Sequence, residues 1–285
     1  MWVKDSHLRL AAGLAALMIF TALPVQAEEK AFKVCADPNN PPLSDKQGQG
    51  LENKIAEMFA KDLGQKLEYT WFPQRMGFIR STLKAKVSED SAEYKCDVVM
   101  GVPAGYELTA TTQPYYRSTY ALVYRKGAGI DDIKTPADID KLPADKKGKL
   151  RIAMFDGSPA TTWLLNHGLI GQGVPYQTMT GDASVNTAQT LQKDFADGKI
   201  DAVIIWGPIA GYLVKSGGGS LQMLPMKTES KEFRFDFPIA MGVSIPDKER
   251  KAQLDGLIEK NADRIQALLK EYQVPLVDEK DGPMR

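Results

Sequence analysis

The sequence has 285 residues, 43% of them hydrophobic, with 36 basic side chains against 36 acidic ones. Balanced charge argues against nucleic acid or an anionic membrane surface as the partner. The apolar fraction is that of a globular chain with a core, and the length allows two domains at roughly 100–200 residues each.

Lys4 and Arg9 flank the start of a short apolar run, Leu10 to Val25, and Val25-Gln26-Ala27 is a small-x-small cleavage site before Glu28. This is the pattern of a bacterial secretory signal peptide over residues 1–27, so the expected location is the periplasm. The run falls short of the ~20 apolar residues a bilayer span requires. Two cysteines follow, Cys35 and Cys96. An even count in an oxidising compartment points to a disulfide, with buried thiols as the alternative. No metal site is expected, because His167 is the one histidine beyond the leader and too few ligands accompany it.

Along the chain, Ala31–Ala36 reads as a short strand stopped by Pro38, Pro41 and Pro42. Leu51, Ile55, Met58, Phe59 and Leu63 make one apolar helix face, ended by Gly64. Leu67–Phe72 is a strand, Phe78–Lys86 a helix, Val87–Lys95 a polar surface insertion and Cys96–Val102 a buried strand. The alternation implies a parallel, doubly wound sheet. Tyr115–Arg125 is a longer extended run, and residues 127–149 form a solvated connection with one short helix. A second series then starts. Arg151–Phe155 is a strand, Asp156-Gly-Ser-Pro159 turns into a helix through Leu165, and Ala188, Leu191 and Phe195 mark a helix closed by Gly198. Ile200–Ile205 is a strand, and Ile239–Ile245 is a last extended run. One long amphipathic helix follows from Asp247, its N-cap, with Leu254, Leu257, Ile258, Ile265, Leu268 and Leu269 inside. Two series joined by two crossings, near Ser118–Tyr120 and Phe235–Pro238, predict an α/β protein of two lobes. Residues 28–118 with 237–285 form the first lobe, and 119–236 the second.

Four strings are long and unusual: Val-Cys-Ala-Asp-Pro-Asn-Asn at 34–40, Tyr-Thr-Trp-Phe-Pro-Gln-Arg at 69–75, Cys-Asp-Val-Val-Met-Gly-Val-Pro-Ala-Gly-Tyr at 96–106 and Pro-Tyr-Tyr-Arg-Ser-Thr-Tyr at 114–120. With them the chain resembles the type II periplasmic solute-binding proteins over essentially its whole exported length. Within that superfamily it resembles the MoxJ/XoxJ branch, linked to PQQ-dependent methanol dehydrogenases. The resemblance implies the two-lobed clamp fold, a doubly wound sheet in each lobe, and an accessory role beside a quinoprotein dehydrogenase, with a segment of that enzyme or of its cytochrome c as the partner. PQQ and haem would then belong to those partners, and no cofactor is expected in this chain.

The chain departs from amino-acid binders at both anchors. Such proteins carry an arginine after the third strand of lobe 1 to clamp the ligand carboxylate. Here the region reads Ala104-Gly-Tyr-Glu-Leu-Thr-Ala110, without arginine. They also carry an aspartate in lobe 2 for the ligand ammonium, where this chain has Ile205-Trp-Gly-Pro208. A zwitterion in a dry cleft needs both charges opposed.

Strand ends and the loops after them face the gap between lobes. They nominate Asp37, Asn40, Arg75, Gly101, Gly105, Tyr106, Gly157, Ser158, Trp206 and Gly207 as cleft or partner-binding residues. Each has a plainer role open to it. Asp37 can cap its turn, Arg75 can pair with a surface carboxylate, Ser158 can be a helix N-cap, and Tyr106 and Trp206 can pack lobe on lobe. Trp163 is a further candidate for apolar contact with a partner. No catalytic residue is nominated. His167 follows a helix, where the dipole gives an imidazole sufficient structural reason, and no nucleophile elbow, phosphate loop or haem-attachment motif is present. Two readings result: an accessory protein of a methanol dehydrogenase, or a transport receptor for an unusual small solute. An enzyme on this scaffold, such as a dehydratase, finds no visible acid–base constellation.

Overall fold

The structure is a computed structural model and describes residues 1–2, 30–177, 182, 184–228 and 233–278. Apart from residues 1 and 2, the expected signal peptide lies outside the described residues. No helix among the described residues is long and apolar enough to cross a membrane.

The chain begins with β1 (Phe32–Ala36), a central strand buried at four of its five positions. A small hairpin, β2 (Asn39–Asn40) with β3 (Ser44–Asp45), leads to α1 (Leu51–Leu63). The apolar stripe of α1 goes inside, and Gly64 at φ 62° closes it in the left-handed conformation. Glu52 and Asn53 are buried too, against the amphipathic pattern. The Asn53 carboxamide oxygen accepts from the Asp45 and Gly50 N–H groups at 2.9 and 3.2 Å, pinning the hairpin to the helix start.

Strand β4 (Leu67–Trp71) and a short helix α2 (Phe78–Ser81) follow. The expected helix to Lys86 stops early, because the Thr82 hydroxyl bonds back to the Phe78 carbonyl at 2.7 Å and the backbone there leaves helical geometry. Beyond an exposed loop come β5 (Val98–Pro103), β6 (Ala110–Thr111) and β7 (Tyr116–Thr119). Cys35 and Cys96 form a disulfide across 5.4 Å between Cα atoms.

The extended run expected at 115–125 breaks at Tyr120. Beyond it β8 (Ala121–Arg125) belongs to a second sheet. That body adds the short helix α3 (Ala144–Lys147), β9 (Ile152–Phe155), α4 (Pro159–Asn166), β10 (Gly173–Tyr176), α5 (Thr187–Ala196), β11 (Ala202–Ile205), α6 (Gly207–Ser216) and β12 (Leu221–Pro225). The chain then returns through β13 (Asp236–Val243) to α7 (Lys248–Lys260) and α8 (Ala262–Glu271). The single long terminal helix of the sequence reading is two helices. Asn261 parts them, its amide donating to the Leu257 carbonyl at 2.9 Å and to Asp62 at 2.8 Å.

The first sheet runs β4-β1-β5-β13-β6 with β7 also on β13, and the second runs β10-β9-β11-β8-β12. Three neighbouring strands in each sheet pair in parallel, β4-β1-β5 and β10-β9-β11, and the remaining pairings, through β13 and β8, are antiparallel. Both sheets are covered on both faces. Val34, Val98 and Met100 face α1, α7 and α8, whereas Cys35 and Val99 face Phe78 and Ile79 of α2. In the second sheet Leu122, Ile152 and Ile204 pack on α4, and Val123, Ala153 and Val203 pack on α5 and α6. This is a type II periplasmic binding-protein fold, two lobes each with its own core. The two chain crossings are tied together. Thr119 is the ladder partner of Asp236, and the Tyr120 N–H donates to the Phe235 carbonyl at 2.9 Å.

Candidate functional site

The lobes meet over a polar cavity of about 180 Å³. Of the nominated residues, Asp37, Asn40 and Arg75 line it. Asp37 stands just beyond β1, and its carboxylate accepts from the Asn39 N–H at 2.8 Å and the Gln74 N–H at 2.5 Å. It therefore ties the loop after β1 to the loop after β4. Asn40 donates its amide to the Gln74 side chain at 3.0 Å. The wall from lobe 1 is a set of amides that hold one another.

The second lobe supplies Phe155, Tyr176, Gln177, Asp182, Asn186, Thr187 and Thr190. Tyr176 is fixed by its hydroxyl, which donates to Asp194 at 2.6 Å. Asn186 caps α5, accepting from the Gln189 N–H at 3.1 Å, and the same side chain donates across the gap to the Asn39 carbonyl at 2.9 Å. The Asn39 side chain returns the contact to the Ser184 carbonyl at 3.0 Å. These two amide contacts tie the lobes together across the gap.

None of the lobe 2 wall residues was nominated from the sequence. The Asn186-Thr187 helix start was a readable N-cap signal, but the helix was recognised only by its apolar stripe. Strand β10, which carries Tyr176, is a four-residue edge strand of Gly-Val-Pro-Tyr, too short and too proline-broken to announce itself.

Gly101 and Tyr106 line a different feature. With Phe78, Ile79, Val99 and Val102 they wall an apolar groove of about 620 Å³ on lobe 1, which shares Gln74 and Arg75 with the polar cavity. Gly101 has a second role. A side chain there would bring its Cβ to 2.2 Å from Glu52 Oε1. The Glu52 carboxyl thus lies directly behind the lobe 1 wall. Burial pushes its pKa up from 4.5 to about 7, and the nearby charge of Asp37 adds to the shift.

Gly105 is at φ 80° in a turn whose N–H donates to Thr111 Oγ1 at 3.1 Å, and it lines no described cavity. Gly157 and Ser158 border a depression of about 540 Å³ that Arg234 and Phe237 of the returning crossing close from the other side, and Gly157 also lines one of about 870 Å³ with Tyr176 and Gln177 of the cavity wall. The Ser158 hydroxyl accepts from the Ala160 N–H at 3.2 Å, which makes it the N-cap of α4. Trp163 is buried under lobe 2, with its ring 3.9 Å from that of His167, and His167 reaches Asp140 at 2.8 Å.

Trp206 and Gly207 lie at the crossings rather than on the cavity wall. The Trp206 ring meets Tyr120 at 5.5 Å and Phe237 at 6.0 Å, edge to face. A Cβ at Gly207 would lie 2.3 Å from Ser118 Oγ and 2.5 Å from the Thr119 carbonyl. Gly207→Ala is therefore expected to lower stability by about 1–3 kcal/mol, read by urea unfolding. A loss of a few tenths would mean that the crossing yields. Among the described residues no group of three or more His, Cys, Asp or Glu could hold a metal ion.

No family model matches the chain. Protein MoxJ of Methylorubrum extorquens is 29% identical, over 95% of this chain and 95% of its own. Among solved structures, the periplasmic binding protein XoxJ from Methylobacterium extorquens AM1 is 33% identical with a TM-score of 0.68, covering 87% of this chain and all of that one. MxaJ from Methlophaga aminisulfidivorans MPT is 27% identical with a TM-score of 0.70 over the same shares. An ancestral cationic amino acid solute binding protein, at 18% identity and a TM-score of 0.63 over 85% of this chain and 95% of that one, shares the fold.

Proposed function

Since this chain belongs to the MoxJ/XoxJ family of periplasmic binding proteins, we propose that it is a non-enzymatic periplasmic accessory protein that assists the maturation, cofactor loading or activation of a PQQ-dependent methanol dehydrogenase. Its working parts would be the lobes 28–118 with 237–285 and 119–236, closing on a segment of the dehydrogenase or of its cytochrome c. PQQ and haem stay with those partners.

One observation carries the reading: neither anchor of an amino-acid binder is in place. Residues 104–110 hold no arginine. Trp206, where the lobe 2 carboxylate would stand, is engaged with Tyr120 and Phe237. What the chain offers instead is an apolar groove beside a small latched cavity.

The second reading, a receptor for a small solute, has its own support. The cavity wall includes Arg75 from one lobe and Asp182 from the other, opposite charges on opposite sides. Two titrations separate the readings. The dehydrogenase holoenzyme, flowed over the immobilised protein, is expected to bind, and a panel of free amino acids is expected to leave the melting temperature unchanged. A ligand at 100 times its Kd would add about 2.7 kcal/mol, so a true solute would be seen. Micromolar capture of any free amino acid, with no binding of the dehydrogenase, would overturn the accessory role.

A further inference from the structure

We propose that the apolar groove of lobe 1 is a docking surface for a protein segment that presents apolar side chains flanked by carboxylates. The proposal rests on the accessory role above and names the surface through which it is exercised.

The groove runs between α2 and the turn after β5. Its volume, about 620 Å³, exceeds the 180 Å³ of the polar cavity several-fold. Two of its wall residues are large apolar side chains standing in solvent, Met76 at 89% exposure and Leu108 at 45%. An apolar surface lining a concave site marks a place where something binds. Met76 suits that use, because an unbranched thioether adapts to varied shapes.

The floor is firm where the rim is open. Phe78, Ile79, Val99 and Val102 belong to one buried cluster with Cys35 and Cys96, so the disulfide is built into the floor. A preformed floor spares a partner the cost of ordering it. The groove also continues, through Gln74 and Arg75, to the mouth of the interlobe cavity, so an occupant would be felt where the lobes meet.

Charge selects the occupant. Among the described residues the walls carry no carboxylate, and the exposed Arg80 puts a cation on the rim. Glu107 is adjacent to Leu108 in sequence but does not form part of the wall. A guanidinium on the rim of an apolar patch complements carboxylates on the segment that enters it and repels cationic ones. A second copy of this chain is disfavoured as occupant, because a two-fold contact would set the same arginines against each other.

The test uses the exported protein and the purified dehydrogenase holoenzyme in a biosensor titration. Met76→Glu with Leu108→Glu changes only exposed positions and is expected to leave the melting temperature unchanged while weakening binding at least tenfold. Arg80→Glu is expected to weaken it further, and Arg80→Ala to flatten the salt dependence. If the wild type binds and all of these variants bind equally well, the groove is not the docking surface, although the accessory role stands. Absence of binding by the wild type overturns both. A groove-dependent dimer in sedimentation, abolished by the double variant, would replace the carboxylate-bearing segment with a second copy and overturn the proposal.

Discussion

Replacing Cys35 and Cys96 together by alanine is expected to lower stability by about 4 kcal/mol. The bond closes a loop of 61 residues. In the chain-entropy account, a loop of that length confines the unfolded chain by roughly this amount. The native state offers little to offset the loss. The half-cystines are 2% and 1% exposed, and alanine leaves small voids in the cluster that includes Phe78, Ile79, Leu83 and Val102. Alanine serves better than serine here, since a serine hydroxyl would be buried without an assured partner. Urea unfolding of both proteins under oxidising conditions measures the difference. A loss below 1 kcal/mol would mean that the unfolded chain holds β1 and β5 together without the bond. On the proposed accessory role, the same variant should also weaken dehydrogenase binding, because the cluster it loosens is the floor of the lobe 1 groove.

Wild-type stability should fall by about 3 kcal/mol as pH rises from 4.5 to above 7, and Glu52→Gln should abolish that fall. The Glu52 carboxyl titrates near 7 in the folded protein against an ordinary 4.5. Between those values the native state holds a proton that the unfolded chain has released. Stability therefore declines across the window and levels off above it. Buried carboxyls with lowered pKa, such as Asp201 beside Arg151 and Arg125, work in the opposite sense but only in the acid range below it. Glutamine keeps the shape behind Gly101 without the charge, so its curve should be flat from pH 5.5 to 7.5 and lie above that of the wild type at pH 7.5. Parallel curves for the two proteins would show that another group carries the dependence. Asp37 is the nearby charge that adds to the shift, so Asp37→Asn should move the wild-type midpoint down in pH.

Strongly periodic elements were legible in the sequence. The α1 stripe, the buried runs of β1, β5 and β11, and the cysteine pair all declare themselves through apolar spacing or compartment. What escaped was decided by tertiary contact. The end of α2 depends on what the Thr82 hydroxyl bonds. The break between α7 and α8 depends on Asn261 meeting Asp62, far away in the chain. At the site, strand-end reasoning placed Asp37, Asn40 and Arg75 beside the cavity but assigned Trp206 and Gly207 to it as well. A strand end faces the cleft only if the following helix start is not itself wedged into a neighbour, and Gly207 is wedged against Ser118 and Thr119. Glu52 was hidden for the converse reason. A carboxylate next to an apolar stripe reads as solvent-facing until Gly101 is seen to cover it.

The hydrogen-bonded pair of crossings dictates how the two halves can move. Were the connections separate threads, each lobe could tilt, slide and swivel on the other. Joined through the β7–β13 ladder and the Arg117–Asp236 ion pair, they behave as one flexure. Such a ribbon bends readily across its face but resists in-plane shear, which would rupture its rungs. Any opening is then expected to follow a single arc with one rotational coordinate, so that a body propping the mouth apart at one edge would displace the whole jaw.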